Sequence, residues 1–251
     1  PTINTDGTIQ SLVSANANSG FSIVKWDGTG AINTVGHGLS AAPELIIFKS
    51  LDITADWQVY AEPIGNGNKL VLNSTAAQSS TTRFDSTSPT STVFTLRDVG
   101  LGTGQIAYCF YSVSGYSKIG SYTGNGSTQS ITGLGFQPNW VLIKETSAAE
   151  SWRVFDSARG ATERLFPDTN GAESTASDSL TAFDSDGFSL GSSAGVNENT
   201  QTYIYMAFKE NPGQIVPAGQ MAYLVVAGGA GGGGTVYPNK GAGGGSGGLR
   251  T

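Results

Sequence analysis

The sequence predicts an all-β protein with two tandem related β-sandwich units and a glycine-rich C-terminal segment. Short apolar runs are separated at close spacing by turn signals such as "DGTG", "TGNG" and "SDG". Several of these runs recur, in the same order, about 95 residues further along the chain. The windows most compatible with a helix, residues 76–84 and 172–185, are rich in Ser and Thr. We therefore expect only a short helix or an ordered loop in each of them.

The internal repeat is clearest where a proline precedes an apolar run. The segment "HGLSAAPELIIFK" resembles "TGLGFQPNWVLIK", and Pro43 and Pro138 are separated by 95 residues. The segments "WQVY" and "WRVF" have the same separation, and "VFTL" with "GFSL" and "IAYCF" with "IYMAF" follow in order. The earlier segments "KWDGTG" and "SYTGNG" also correspond. Because the order is kept throughout, we interpret the chain as a duplicated structural unit.

The repeat divides the chain into four parts. Residues 1–19 are an N-terminal extension or linker, residues 20–115 form the first β unit, and residues 116–212 form the second. Residues 213–251 begin a glycine-rich C-terminal region. The two β units are expected to pack against one another.

Alternation within the repeat predicts core residues. A period of two places Trp57 with Val59, and Trp152 with Val154, on one face of a strand. The paired prolines Pro43 and Pro138 belong to the same predicted scaffold. The two tryptophans could also stack on sugars, but their repetition on one alternating face favours the core. The runs "ELIIFK" and "WVLIK" are typical of strands that are buried on both sides.

The composition excludes several classes of function. Charged residues make up 13% of the chain, against about 25% in ordinary domains. The net charge of −6 argues against a nucleic-acid-binding protein, which needs clustered Lys and Arg to contact phosphates. No run of 18 apolar residues exists, so no membrane insertion is expected. The N-terminal residues show no signal-peptide pattern.

The candidate chemical sites favour structural interpretations. His37 lies between two glycines before a predicted strand, and a turn explains it better than a general base. The "DSDG" motif at residues 184–187 could hold calcium, but it lacks the later bidentate glutamate and is typical of a turn. With one His and one Cys (Cys109), the chain cannot form a His/Cys zinc site by itself. Acidic residues do not correspond between the repeats. We therefore predict no catalytic residues, no metal and no cofactor.

Several segments together resemble a known class of proteins. The segments "GFSIVKWDGTGAINTVGHGLSAAPELIIFK", "YCFYSVSGYSKIGSYTGNG", "VFDSAR" and "YIYMAFKENP" are similar to an uncharacterised domain of tail-fibre and other virion proteins in tailed bacteriophages, especially phages of marine bacteria and cyanobacteria. The resemblance covers residues 20–212. It implies a location on the virion, and it implies no catalytic residues.

The C-terminal tract has a second resemblance. Glycine occupies 12 of the 21 positions from Gly228 to Gly248, and the tract resembles the start of glycine-rich regions in phage tail fibres and adhesins. Glycine lets backbones approach closely, so this tract predicts contacts within or between chains. A flexible linker is the alternative. The candidate oligomer contacts are Gly231, Gly232, Gly233, Gly234, Gly243, Gly244 and Gly245.

These observations predict a non-enzymatic structural or adhesive virion protein. The expected role is a tail fibre that presents loops to a host-surface glycan or to other virion proteins. A homotrimer is the expected oligomer, by analogy with fibres. Two alternatives stay open. One is a head fibre or capsid decoration protein, and the other is a tailspike that degrades polysaccharide.

Overall fold

The computed structural model describes residues 1–210, and within them nearly all regular structure is β-strand. The first half, residues 1–115, contains β1 (Thr2–Asn4), β2 (Ser11–Asn16), β3 (Phe21–Asp27), β4 (Ile32–Gly36), β5 (Leu45–Ser50), β6 (Gln58–Ala61), β7 (Asn68–Val71), β8 (Ser79–Ser80), β9 (Val93–Arg97) and β10 (Gly104–Phe110). The second half, residues 116–210, contains β11 (Ser117–Thr123), β12 (Gln129–Thr132), β13 (Trp140–Glu145), β14 (Arg153–Asp156), β15 (Gly160–Leu165), β16 (Ser174–Thr175), β17 (Leu180–Asp184), β18 (Gly187–Leu190) and β19 (Thr202–Phe208). The helical segments described are one turn each: Ala17–Ser19, Glu62–Ile64 and Ala194–Asn197. The prediction of an all-β fold is therefore confirmed.

Each half contains one large and one small sheet, and all paired strands are antiparallel. The large sheet of the first half has the order β1-β2-β3-β10-β5-β6-β7-β8, and its small sheet pairs β4 with β9. The large sheet of the second half has the order β11-β19-β13-β14-β15-β16, and its small sheet has the order β12-β18-β17.

The strand order of the two large sheets is the same once β1 and β2 are set aside. Strands β3, β10, β5, β6, β7 and β8 correspond in order to β11, β19, β13, β14, β15 and β16. The register agrees as well, since Leu45 faces Phe110 in the first half and Trp140 faces Phe208 in the second. An internal duplication requires this correspondence.

Strand alternation gives each half its own core. In β5, Ile46 and Phe48 point toward the small sheet, and their counterparts in β13, Val141 and Ile143, do the same. The small sheets contribute Val35, Phe94 and Leu96 in the first half and Ile131, Phe188 and Leu190 in the second. Each half is thus a sandwich of a large and a small sheet.

A third core joins the two halves. The opposite faces of β5 and β13 contribute Leu45, Ile47 and Leu142 to a cluster that also contains Val59, Leu70, Trp152, Ile204 and Met206. The large sheets therefore pack against each other, with a small sheet outside each of them. This arrangement explains the apolar runs "ELIIFK" and "WVLIK", because β5 and β13 are covered on both faces.

Glycines at corresponding turns set the chain direction after β3 and β11. Gly30 and Gly126 have φ values of 75° and 70°, in the left-handed region that glycine adopts without steric cost. A side chain at either position would strain the turn. The turns "DGTG" and "TGNG" of the repeat are therefore backbone requirements.

The N-terminal segment, residues 1–19, belongs to the large sheet of the first half. Strand β2 pairs along its whole length with β3 and extends that sheet. The predicted helix-compatible windows form ordered loops and strands, including β8, β16 and β17. The glycine-rich tract and its seven candidate contact glycines, Gly231–Gly234 and Gly243–Gly245, lie outside the described residues.

Candidate functional site

The first half carries an open groove on the outer face of its large sheet. Its volume is about 630 Å³, and it lies where the loop between β5 and β6 crosses the end of β10. Nine residues line it: Lys49, Ser50, Leu51, Asp52, Ile53, Thr54, Trp57, Ile106 and Tyr108. The groove therefore combines aromatic, aliphatic and polar side chains.

Strand register brings the side chains of the groove together. Ile106 lies opposite Lys49, and Tyr108 lies opposite Ile47, in the antiparallel pair of β10 and β5. Alternation points these side chains away from the small sheet. The second half covers Ile47 in the shared core, while Ile106 and Tyr108 stay partly exposed. The groove thus lies beside the contact between the two halves.

A row of aromatic rings runs from the groove along the edge of the shared core. The ring centroid of Trp57 lies 6.2 Å from that of Tyr108, and Tyr108 and Phe21 are stacked with an interplanar angle of 6°. The ring centroid of Phe21 lies 4.8 Å from that of Phe110, and the Phe110 ring contacts the ring of Phe208 in the second half. All five rings are partly buried. Aromatic rows of this kind supply large contact areas with little loss of side-chain entropy on binding.

Exposed aliphatic side chains extend this surface away from the shared core. Ile23, which pairs with Tyr108 across β3 and β10, is 36% exposed. Leu12 on β2 is 45% exposed and lies in the same layer, since both it and Ile106 pair with Lys25. Contiguous apolar surface of this type marks sites of interaction.

Hydrogen bonds fix the loop that forms one wall of the groove. The carboxylate of Asp52 accepts from the backbone N–H of Thr103 at 2.7 Å and of Gly104 at 2.6 Å, and from the Thr103 hydroxyl at 2.9 Å. These bonds favour the ionised form and lower the pKa of Asp52. The backbone N–H groups of Asp52 and Ile53 donate to the hydroxyl of Ser50. The loop between β5 and β6 is therefore held by hydrogen bonds to the start of β10.

The groove offers binding chemistry and little acid–base chemistry. Asp52 is its single carboxylate, and the protein itself satisfies that carboxylate. The ammonium group of Lys49 donates to the carbonyl of Ala55. Glycoside hydrolysis requires two carboxyl groups about 5–9 Å apart, which the groove does not contain.

The predicted core residues divide into two groups. Val59, Trp152, Pro43 and Pro138 are buried, as the alternation and the repeat indicate. Trp57 and Val154 are only partly buried. Trp57 packs against the edge of the shared core, and its ring also lines the groove.

His37 has the structural role that its sequence context favours. Its side chain is fully buried, and its Nδ1 atom accepts from the backbone N–H of Leu39 at 3.1 Å. Its Nε2 atom therefore carries the proton and donates to the carbonyl of Thr90 at 3.2 Å. Burial lowers the pKa of His37, so the ring is neutral at pH 7.

The "DSDG" motif is a hairpin turn between β17 and β18. Asp186 accepts from the backbone N–H groups of Gly133 and Gly135 at 3.0 and 2.7 Å. Asp184 accepts from the Ser189 hydroxyl at 2.6 Å. Among residues 1–210, no three His, Cys, Asp or Glu side chains are grouped so that they could hold a metal ion.

The second half buries charged groups that sequence reasoning missed. The side chain of Lys144 is fully buried, and burial lowers its pKa to about 8. Arg153, also buried, donates to the carbonyl of Gly195 at 2.6 Å and to the carboxylate of Glu150 at 2.8 Å. One sequence feature could have indicated a buried charge: Lys144 ends the run "WVLIK", which is predicted to be covered on both faces.

Comparisons with known proteins identify a family without an assigned function. Neither curated proteins nor solved structures give a match to this chain. Within the described part, none of the helices has the length and apolar character needed to cross a membrane. Residues 1–212 match the model of a domain of unknown function (DUF7483), which includes β1, β2 and both halves. The chain therefore belongs to this family.

Proposed function

We propose that the protein is a structural, non-enzymatic component of a bacteriophage particle, and specifically a tail fibre on the virion surface. The resemblance of residues 20–212 to virion proteins supports this proposal, as does the low content of charged residues. The matching strand orders support an origin by duplication of one β unit. A duplicated scaffold without matched acidic residues suits display and assembly better than catalysis.

The observation that carries the non-enzymatic role is the chemistry of the groove. Its aromatic and aliphatic side chains suit contact with another molecule, and its single carboxylate is already hydrogen-bonded. The shared core holds the two halves together and supports that surface, because one buried apolar cluster contains residues of both large sheets. Other virion proteins and a host-surface glycan are the partners that this surface chemistry suits.

The position of the protein in intact phage particles tests this proposal. Cryo-electron microscopy of particles labelled with an antibody against residues 1–210 should place the label on the tail fibres. Label on the capsid would instead support a head fibre or decoration protein. Release of reducing sugar from host polysaccharide by the purified protein would support a tailspike enzyme and contradict the proposal. Absence of the protein from purified particles would exclude all three virion roles.

A further inference from the structure

The second half contains the counterpart of the groove. Corresponding strands place Lys49, Leu51 and Trp57 at the positions of Lys144, Thr146 and Trp152, each 95 residues later. The register of β10 and β19 likewise places Ile106 and Tyr108 at the positions of Ile204 and Met206. We refer to these five positions in the second half as the filled groove, and to the lining of the first-half groove as the open groove.

A segment of the first half occupies the filled groove. Residues 71–78, from the last residue of β7 through the turn and loop before β8, lie across it. The Trp152 indole N–H donates to the carbonyl of Val71 at 2.9 Å, and the Lys144 ammonium donates to the carbonyl of Thr75 at 3.3 Å. The backbone N–H of Gln78 donates to the carbonyl of Thr146 at 2.8 Å. Three hydrogen bonds thus anchor the segment at three points.

Apolar contacts accompany these hydrogen bonds. Leu70 and Leu72 lie in the same buried cluster as Trp152, Ile204 and Met206. Leu70 is completely buried. Both halves contribute their central strands, β5 and β13, to the shared core, but the hydrogen bonds across it are one-sided. They join the connection after β7 to the second half, and within residues 1–210 no such bond joins the connection after β15 to the first half. In this respect the contact is heterologous, and each half retains one surface that these hydrogen bonds leave unused.

The unused surface of the first half is the open groove. It has the same tryptophan and lysine as the filled groove. Within residues 1–210, the Trp57 indole N–H and the Leu51 carbonyl have no hydrogen-bond partner, whereas their counterparts bind Val71 and Gln78. The side chain of Leu51 is 51% exposed.

The unused surface of the second half is the segment that corresponds to residues 71–78. This segment, residues 166–173, connects β15 to β16, and the flanking pairs Lys69–Ser79 and Arg164–Ser174 have the same register. Leu165 is 39% exposed, although its counterpart Leu70 is completely buried. The Asn170–Glu173 part of the segment, which corresponds to residues 75–78, is exposed.

The carboxylates of the connecting segment are held within the second half. Glu173 pairs with Arg159 at 2.9 Å, and both carboxylate oxygens of Asp168 are buried. The exposed part of the segment, residues 169–172, therefore offers its backbone and small side chains to a partner.

From these correspondences we infer that the open groove binds residues 165–173 of a second copy of this chain. The contact repeats between molecules the one that already joins the two halves within a molecule. Lys49 and Trp57 donate to backbone carbonyls of the neighbouring segment, and the Leu51 carbonyl accepts from its backbone. Because the contact is heterologous, each molecule provides one groove and one segment, so the assembly grows head to tail into a ring or a filament. This inference does not depend on a location in a virion.

Three matched substitutions of exposed apolar residues in the full chain test the inference. Leu51→Glu places a negative charge in the open groove, and Leu165→Glu places one on the docking segment. Ile32→Glu is the control, since Ile32 is 45% exposed on β4, in the small sheet on the opposite side of the first half. Sedimentation velocity over a range of concentrations measures association. Each of the first two variants should weaken self-association by about tenfold or more, and the control should associate like the wild-type protein.

A mixture of the two disruptive variants gives the sharpest result. The Leu165→Glu protein retains an intact groove, and the Leu51→Glu protein retains an intact segment. An equimolar mixture should therefore form a one-to-one dimer that grows no further, although each variant alone is monomeric. Folding defects could not restore association on mixing.

Three results would overturn the inference: a wild-type protein that stays monomeric at every concentration, variants that associate like the wild-type protein, or variants that fail to pair in the mixture. Glycan-array binding that Leu51→Glu abolishes, together with a monomeric wild-type protein, would assign the groove to a sugar instead.

Discussion

The two corresponding tryptophans should contribute very differently to stability. Trp152 is 1% exposed, packs in the core shared by the halves, and donates a hydrogen bond to Val71. Replacing a buried tryptophan by alanine costs about 3–5 kcal/mol, and the unpaired Val71 carbonyl adds about 1 kcal/mol. Trp57 lines an open groove that water can refill, so Trp57→Ala should cost about 2 kcal/mol, from lost apolar burial alone.

Guanidinium denaturation followed by far-ultraviolet circular dichroism measures this difference in the free energy of unfolding. The wild-type protein should unfold in one transition, because the shared core couples the halves. Trp152→Ala should lower the midpoint the most and should separate the unfolding of the two halves into two transitions. Trp57→Ala should keep a single transition. Costs for the two variants that agree within about 1 kcal/mol would refute the argument that Trp152 is buried inside the shared core whereas Trp57 lies only at its edge.

Three further predictions concern buried titratable groups. The pKa of His37 in the folded protein lies below its unfolded value of 6.5. The contribution of His37 to stability is therefore fully present above pH 6.5 and is lost as the pH decreases. Between about pH 7 and 5, the melting temperature of His37→Gln should fall less than that of the wild-type protein. Burial lowers the pKa of Lys144 from 10.5 in the unfolded state to about 8 in the folded state. Between these two pH values the unfolded state binds more protons, so the free energy of unfolding rises with pH. Lys144→Met should remove that rise in chemical denaturation measured from about pH 8 to 10. Burial raises the pKa of Cys109 to about 12, so a thiol reagent at pH 8 should label none of the native protein and one thiol after denaturation. Labelling of native Cys109 at the rate of a free thiol would contradict its burial.

Much of the fold could be predicted from local patterns. The runs ending in Lys49 and Lys144 indicate strands covered on both sides, and β5 and β13 lie in the centres of their sheets. Turn glycines such as Gly30 and Gly126 mark corresponding positions in both halves. These features depend on residues close in sequence, or on a period of two, so a single sequence is sufficient to reveal them.

The site could not be predicted because it depends on which half has its tryptophan and lysine covered by the other half. Trp57 and Trp152 have the same local sequence context, and only the packing of the first half onto the second half distinguishes them. The same packing buries Lys144 and leaves Lys49 at the surface. Similarity between repeats predicts equal environments, whereas a heterologous contact makes those environments unequal.

The outermost strands of the large sheets have a consequence for the behaviour of the protein at high concentration. Strands β1, β8 and β16 contain only two or three residues and leave few free backbone groups for pairing with another chain. The longer β11 is shielded in part, since the N–H of Ile119 donates to the Ser112 hydroxyl and the Ser117 carbonyl accepts from Val113. Addition of a strand from another chain to the large sheets, a route to aggregation, therefore finds few free backbone groups at their edges.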